Sequence, residues 1–411
     1  MTSQAKVLIL GGGFGGLFTA LELAGVADVT LVSDAPQFLF KPLLYEYLSG
    51  EVEEWHISPT YKELLDEHVK FIQSEATRID FAAHTVLLRD NQSLSFDVLV
   101  VAVGGVTNYA GVAGAQEHSI PFRTITDADY LRARMVQALD SIPPDLPPQD
   151  VRSALTFAIV GGGASGVELS TKMADLLNDA FVRRALKGEP RVLVIEMGDR
   201  VVPGMGADIR EYVERALHES RVEVHTLTRV TRVGEESVTL EHDRVDSEIP
   251  AAGVVWVGGV RVSPLVENLE IQKTKQGLIQ VAPTLQTLSY PNVFSLGDIA
   301  YFEEAAPTLP GTAQLAFQQA SLAAHNIRAL LSGEELKTRY IEEVGEAVSL
   351  GTERAAVLTG GKVFGGPLAR QARFALYTSR LPTWHHRLRV GASWFFGGTA
   401  PRPLLPLGFN R

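Results

Sequence analysis

Gly11-Gly12-Gly13-Phe14-Gly15-Gly16, and its later counterpart Gly161-Gly162-Gly163-Ala164-Ser165-Gly166, decide how this chain folds. Each stretch follows a short apolar run (residues 7–10 and 155–160) and precedes a helical pattern (residues 17–24 and 167–180). Strand, glycine turn and helix in that order form a dinucleotide cradle. Gly11 and Gly161 permit the tight turn, Gly13 and Gly163 let backbone approach a pyrophosphate, and Gly16 and Gly166 let helix pack closely on strand. Free N–H groups and the dipole at the helix start, where Phe14 and Gly15 lie, favour the bound anion. One glycine triplet is weak; two in the same context, 150 residues apart, imply two dinucleotides.

Working outward, each unit continues alike. Second strands are expected at residues 29–32 and 192–195, and later apolar strands at 98–103 and 254–257 run into Gly104-Gly105 and Gly258-Gly259. A helix is expected around residues 127–139, and the proline-rich residues 142–149 read as a stiff connector. The fold class is therefore α/β, with two Rossmann-like dinucleotide-binding domains produced by a divergent internal duplication.

An acid after the second strand binds the adenosine ribose in such units. Glu196 stands there in the second unit; its carboxylate would accept from the ribose hydroxyls and repel a 2′-phosphate, and no Arg follows until Arg200. NADH is expected over NADPH. In the first unit the place holds Ser33, with Asp34 next, so either Asp34 reaches the ribose or the ribose is held more weakly.

Composition narrows the chemistry. The chain has no cysteine, which excludes disulfide relays, thiolate-ligated iron–sulfur clusters and Cys-ligated zinc; no metal is expected. A net charge of −11 argues against nucleic acid as a partner. Yet residues 354–411 carry nine Arg or Lys and no Asp or Glu, interleaved with Phe364, Phe374, Tyr377, Trp384, Trp394, Phe395, Phe396 and Phe409. At helical spacing Arg370, Arg373 and Arg380 share an arc of about 80°. This tail is expected to lie as a basic interfacial helix on anionic lipid, or alternatively to form a homodimer interface. His385 and His386 are expected at the surface. No apolar stretch is long enough to span a bilayer and no signal peptide is visible, so the expected location is cytoplasmic, peripheral on the inner face of the plasma (or thylakoid) membrane.

The strand-like residues 293–296, running into Gly297-Asp298, resemble the closing motif of flavoproteins with two dinucleotide-binding domains. That resemblance puts FAD on the first turn, with Asp298 on the flavin ribitol, and nicotinamide on the second. Nearly the whole chain is similar to the type II NAD(P)H:quinone oxidoreductases, on residues 10–16, 40–45, 104–114, 159–169, 255–264, 294–298 and 312–319. Residues 38–51 and 381–394 resemble most the cyanobacterial and plant-plastid branch that reduces demethylphylloquinone; Ser33 departs from the acid usual in that family. The resemblance implies hydride transfer from NADH to FAD and reduction of a membrane quinone without proton pumping. It also implies a quinone motif at Ala313, Gln314 and Gln318, a proton- or quinone-handling role for Glu168, and a loop near the flavin carrying Phe40, Lys41, Pro42 and Tyr45. The expected division is 1–115 and 263–335 for FAD, 116–262 for nicotinamide, and 336–411 for membrane association or dimerisation. Two other readings share both turns: an NADH:ferredoxin or rubredoxin reductase, and an NADH-sensing interaction module.

Overall fold

The computed structural model describes residues 4–143, 145–302, 312–338 and 345–406. The chain divides into two compact units, one of Met1–Phe40, Ile57–Val106 and Val260–Glu343, the other of Lys41–His56, Thr107–Gly259 and Val344–Arg411.

The first unit is built on a five-stranded parallel sheet in the order Val293–Ser295, Val98–Val101, Lys6–Leu10, Asp28–Ser33, Val69–Gln73. The second repeats it in the order Ser119–Pro121, Gly253–Trp256, Thr156–Val160, Arg191–Ile195, Val222–His225. In both, the strand feeding the glycine turn is central, so ligand-binding loops gather at the carboxyl ends of the strands. Parallel strands covered on both faces need apolar residues at every position. Val7, Leu8, Ile9 and Leu10 are all buried, as are Phe157, Ala158 and Ile159.

The glycine-turn helices run Phe14–Leu23 and Ala164–Arg183, and the helix expected near 127–139 is Ile125–Asp140, started by a Thr124–Asp127 capping box. The proline connector is shorter than expected: Pro148 opens a helix, Pro148–Ala154, because its fixed φ and missing N–H suit a first helical position. The second unit also holds two tail helices, Pro367–Ser379 and Trp384–Gly397. Among the described residues, no helix is long and apolar enough to cross a membrane; Phe409 and Arg411 lie outside those residues.

Candidate functional site: two dinucleotide cradles and a buried charge cluster

At the first turn Gly11 has φ +100°, and a Cβ there would sit 2.3 Å from the Ala102 carbonyl oxygen. A Cβ on Gly16 would sit 1.8 Å from the Gly11 carbonyl oxygen, so helix and strand touch through backbone. A Cβ on Gly13 would meet nothing within 4 Å; this glycine keeps space open instead, where a pyrophosphate would approach. Gly13 caps the helix without a side-chain bond, leaving the first-turn N–H groups for a ligand. Phe14 packs against Phe38 and Phe40, each at 5.2 Å between ring centroids. Gly104 follows the neighbouring strand in the left-handed region.

Gly297 also has positive φ, +77°, and opens a 3₁₀ turn holding Asp298. Its N–H donates to Gln319 Oε1 at 2.7 Å. Gln319 lies buried on the helix Ala313–Ser332, which packs on the first-turn helix with Phe18 and Phe317 edge to face at 4.7 Å. Gln314 and Gln318, one turn apart on this helix, are half-buried. The doubled glutamine at 318 and 319 is the sequence signal for Gln319, which faces the Gly297 turn.

The second turn repeats the design. Gly161 has φ +110° and its Cβ would lie 2.7 Å from Gly258 Cα; a Cβ on Gly166 would lie 1.9 Å from the Gly161 carbonyl oxygen; Gly163 is open. Glu196 stands where expected. Its two carboxylate oxygens accept from the Gly162 and Gly198 N–H groups, both at 2.6 Å, which fixes the side chain at the lip of the turn. Arg200 pairs with Asp199 at the surface, donating through Nε at 2.8 Å. Both turns thus fit a dinucleotide: open space at the middle glycine, free helix N–H groups and, in the second unit, a preset carboxylate.

Beside the second turn lies a cluster of charges that the sequence did not reveal. Glu168, on the second-turn helix, is buried and accepts from Arg373 Nη2 at 3.0 Å and from the Ser349 N–H at 2.8 Å. Arg373 Nη1 donates to Glu46 at 2.6 Å, and Nη2 also donates to the Pro42 carbonyl at 2.9 Å. Lys172, one turn beyond Glu168, pairs with Glu51 and lies 3.5 Å from Glu46. Arg370 closes the cluster on Glu51 at 2.6 Å. Three carboxyls face three cations, all buried except the partly exposed Arg370. Arg373 lies closer to Glu46, and with Lys172 it overcomes the burial that opposes charge there, holding the Glu46 carboxyl below its ordinary range. Glu168 receives the weaker share. Burial, with the Glu46 charge adding to it, raises its pKa to about 7 against the opposing pull of Arg373 and the Ser349 N–H.

The loop carrying Pro42 and Tyr45 belongs to this same surround. Tyr45 is buried, stacks on Phe122 at 5.5 Å and hydrogen-bonds Ser165 of the second turn; Lys41 is exposed.

The tail departs from expectation in two ways. Arg370 and Arg373 turn inward to the carboxylates instead of facing lipid, since buried Glu46, Glu51 and Glu168 require countercharge. His386 is buried, not at the surface: its Nε2 is 2.8 Å from the His56 carbonyl oxygen, beside Trp394, which packs on His56 and Phe374. His385 is exposed as expected. The helix Trp384–Gly397 instead presents apolar groups outward: Trp384 is 61% exposed, Leu388 62%, Phe395 83% and Phe396 85%.

The sequence of residues 5–320 matches the family model described as pyridine nucleotide-disulphide oxidoreductase. The chain is 38% identical over 406 residues to the demethylphylloquinone reductase NdbB of Synechocystis sp., covering 95% of this chain and 96% of that one. It is 30% identical to the type II NADH:quinone oxidoreductase Ndh of Mycobacterium tuberculosis, over 95% of this chain and 87% of that one. The fold is shared with NDH2 from Plasmodium falciparum in complex with NADH, at a TM-score of 0.85 and 18% identity, covering 98% of this chain and 100% of that structure.

Proposed function

This chain belongs to the pyridine nucleotide-disulphide oxidoreductase family, and on that premise we propose that it is an FAD-dependent NADH:quinone oxidoreductase. The carrying observation is the pair of equivalent glycine cradles in a chain without cysteine. Two dinucleotides are bound, yet the thiol relay of disulfide reductases has no residues to run on, so electrons pass directly to an acceptor. The likeness to quinone reductases over 95% of the chain makes that acceptor a quinone. The name of the Synechocystis relative favours a naphthoquinone of the demethylphylloquinone type.

Bound FAD supplies the two-electron relay between NADH and quinone. The chain's own groups bind, orient and handle protons. N–H groups after Gly13 and Gly163 hold the two pyrophosphates. Asp298 binds the flavin ribitol, and Gln314 and Gln318 offer amide N–H groups to quinone carbonyl oxygens. Glu168 holds a proton near neutral pH for quinol formation. Glu196, already fixed by two backbone N–H groups, accepts from the ribose of NADH. Glu196→Ser should loosen NADH by roughly tenfold, the worth of hydrogen bonds to a charged acceptor, while NADPH affinity rises. Steady-state KM values for the two coenzymes measure it; an unchanged ratio would remove Glu196 from coenzyme choice.

The half-reactions are tested together by mixing FAD-loaded protein anaerobically with NADH and then with a soluble naphthoquinone. Flavin bleaching followed by rapid recovery is expected. Bleaching without recovery would discard the quinone and point to a protein acceptor.

Long-tailed quinones reside in lipid, and the helix Trp384–Gly397 carries the docking face. Trp384, Leu388 and Phe395 share an arc of about 40° at helical spacing, all exposed. Removing the whole tail would be a poor test, because it would strip Arg370 and Arg373 from the buried carboxylates. The double substitution Leu388→Ser with Phe395→Ser should instead weaken liposome partitioning by about a hundredfold, given ~1.5–3 kcal/mol per buried apolar side chain. Turnover with soluble quinone should be kept. Flotation assays read the loss; undiminished binding would reject this face.

A further inference from the structure

The two cradles share their turn geometry but differ at the end of the second strand. In the second unit a Cβ built on Gly162 would lie 2.9 Å from Glu196 Cβ; in the first, a Cβ built on Gly12 would lie 3.0 Å from Ser33 Cβ. Ser33 is therefore the positional counterpart of Glu196, not Asp34. The strand registers agree, since Leu10 pairs with Val32 and Val160 with Ile195, each one residue short of the position in question.

What surrounds that position differs in kind. The Gly162 carbonyl accepts from the Val202 N–H at 2.8 Å, whereas the Gly12 carbonyl accepts from the Tyr61 hydroxyl at 2.7 Å. Tyr61 is 2% exposed and clamped against Phe71 at 4.5 Å, and its hydroxyl hydrogen-bonds Ser33. It starts a short helix whose Thr60–Glu63 capping box fixes the approach. Asp34 is exposed, and its carboxylate accepts from the neighbouring Ala35 N–H at 2.9 Å.

We propose that this chain holds the adenosine ribose of FAD with an uncharged pair, Ser33 as the binding group and Tyr61 as the residue that positions it, where the second cradle uses a carboxylate. Ser33 Oγ meets the ribose hydroxyls. Tyr61 spans from Ser33 to the Gly12 carbonyl and fixes both the serine and the turn. A neutral hydroxyl bonds a ribose more weakly than a carboxylate does, so FAD in this chain is held chiefly by the pyrophosphate and flavin ends.

The inference rests on FAD occupying the first turn, and its test separates the two. FAD and FMN, which lacks the adenosine, are titrated into the apoprotein by flavin fluorescence. FAD binding by the parent establishes the reading of the turn; its failure would sink that reading and this one together. Given binding, Ser33→Ala should loosen FAD by roughly fivefold and leave FMN unchanged. Tyr61→Phe, which keeps the ring, should loosen FAD by about threefold in the parent and add nothing in the Ser33→Ala background. Ser33→Glu should tighten FAD and make its affinity fall below about pH 5, where the parent stays flat. FAD affinity indifferent to Ser33→Ala, or lowered instead by Asp34→Asn, would overturn the assignment.

Discussion

Arg373→Met should destabilise the protein by about 3–5 kcal/mol, the cost of leaving buried charge uncompensated. Arg373 is 2% exposed and bonds two carboxylates and one carbonyl at once. Methionine fills a similar volume, so the loss is electrostatic rather than a cavity. Without the guanidinium, the cation left beside Glu46 among the described residues is Lys172 at 3.5 Å, and Glu168 loses its nearest cation. Both carboxyls then shift toward the protonated state. The destabilisation should accordingly be smaller at pH 5 than at pH 8. Adding Glu46→Gln to Arg373→Met should recover part of the loss, because one of the stranded charges is then gone. Denaturant unfolding at the two pH values measures both. A loss below about 1 kcal/mol at pH 8 would mean that water reaches the cluster and screens it.

The sequence carries the fold where the reason is local. Gly11 and Gly161 were readable because positive φ and backbone contact leave no other residue, and the central strands because burial on both faces forces continuous apolar runs. Glu196 was readable for the same reason: its place is fixed by strand end and turn. The edge strand Ser119–Pro121 was not, being three residues drawn into the second sheet from ahead of the unit. The charge cluster was illegible because its partners are far apart along the chain: Arg373 is 327 residues from Glu46, and Lys172 is 121 from Glu51. Helical spacing correctly groups arginines on an arc, but an arc has no inside or outside until its neighbours are known. Inward-facing Arg370 and Arg373 follow from the buried acids at 46 and 51.

Burial, with the Glu46 charge adding to it, lets Glu168 act at neutral pH, and this leads to the second large effect. With its pKa raised to about 7, Glu168 carries a proton below that pH and loses it above. If it supplies a proton to the quinol, quinone-dependent flavin reoxidation should fall as pH rises through about 7. Glu168→Gln cannot donate in this way and should be slower by about a hundredfold at pH 6, the lower end of what general acids contribute. Its rate should also be flat with pH, so parent and variant converge only near pH 9, about two units above the parent's pKa. Flavin reduction by NADH should be little changed. Stability should move the other way. A carboxyl whose folded pKa lies above its unfolded value near 4.5 contributes stability at low pH, and this contribution is lost as pH rises through about 7. The glutamine variant has no such penalty and should be more stable than the parent at pH 8. Stopped-flow reoxidation and thermal unfolding across pH 5–9 read both. A variant that keeps the parent's pH dependence would assign the proton to another group.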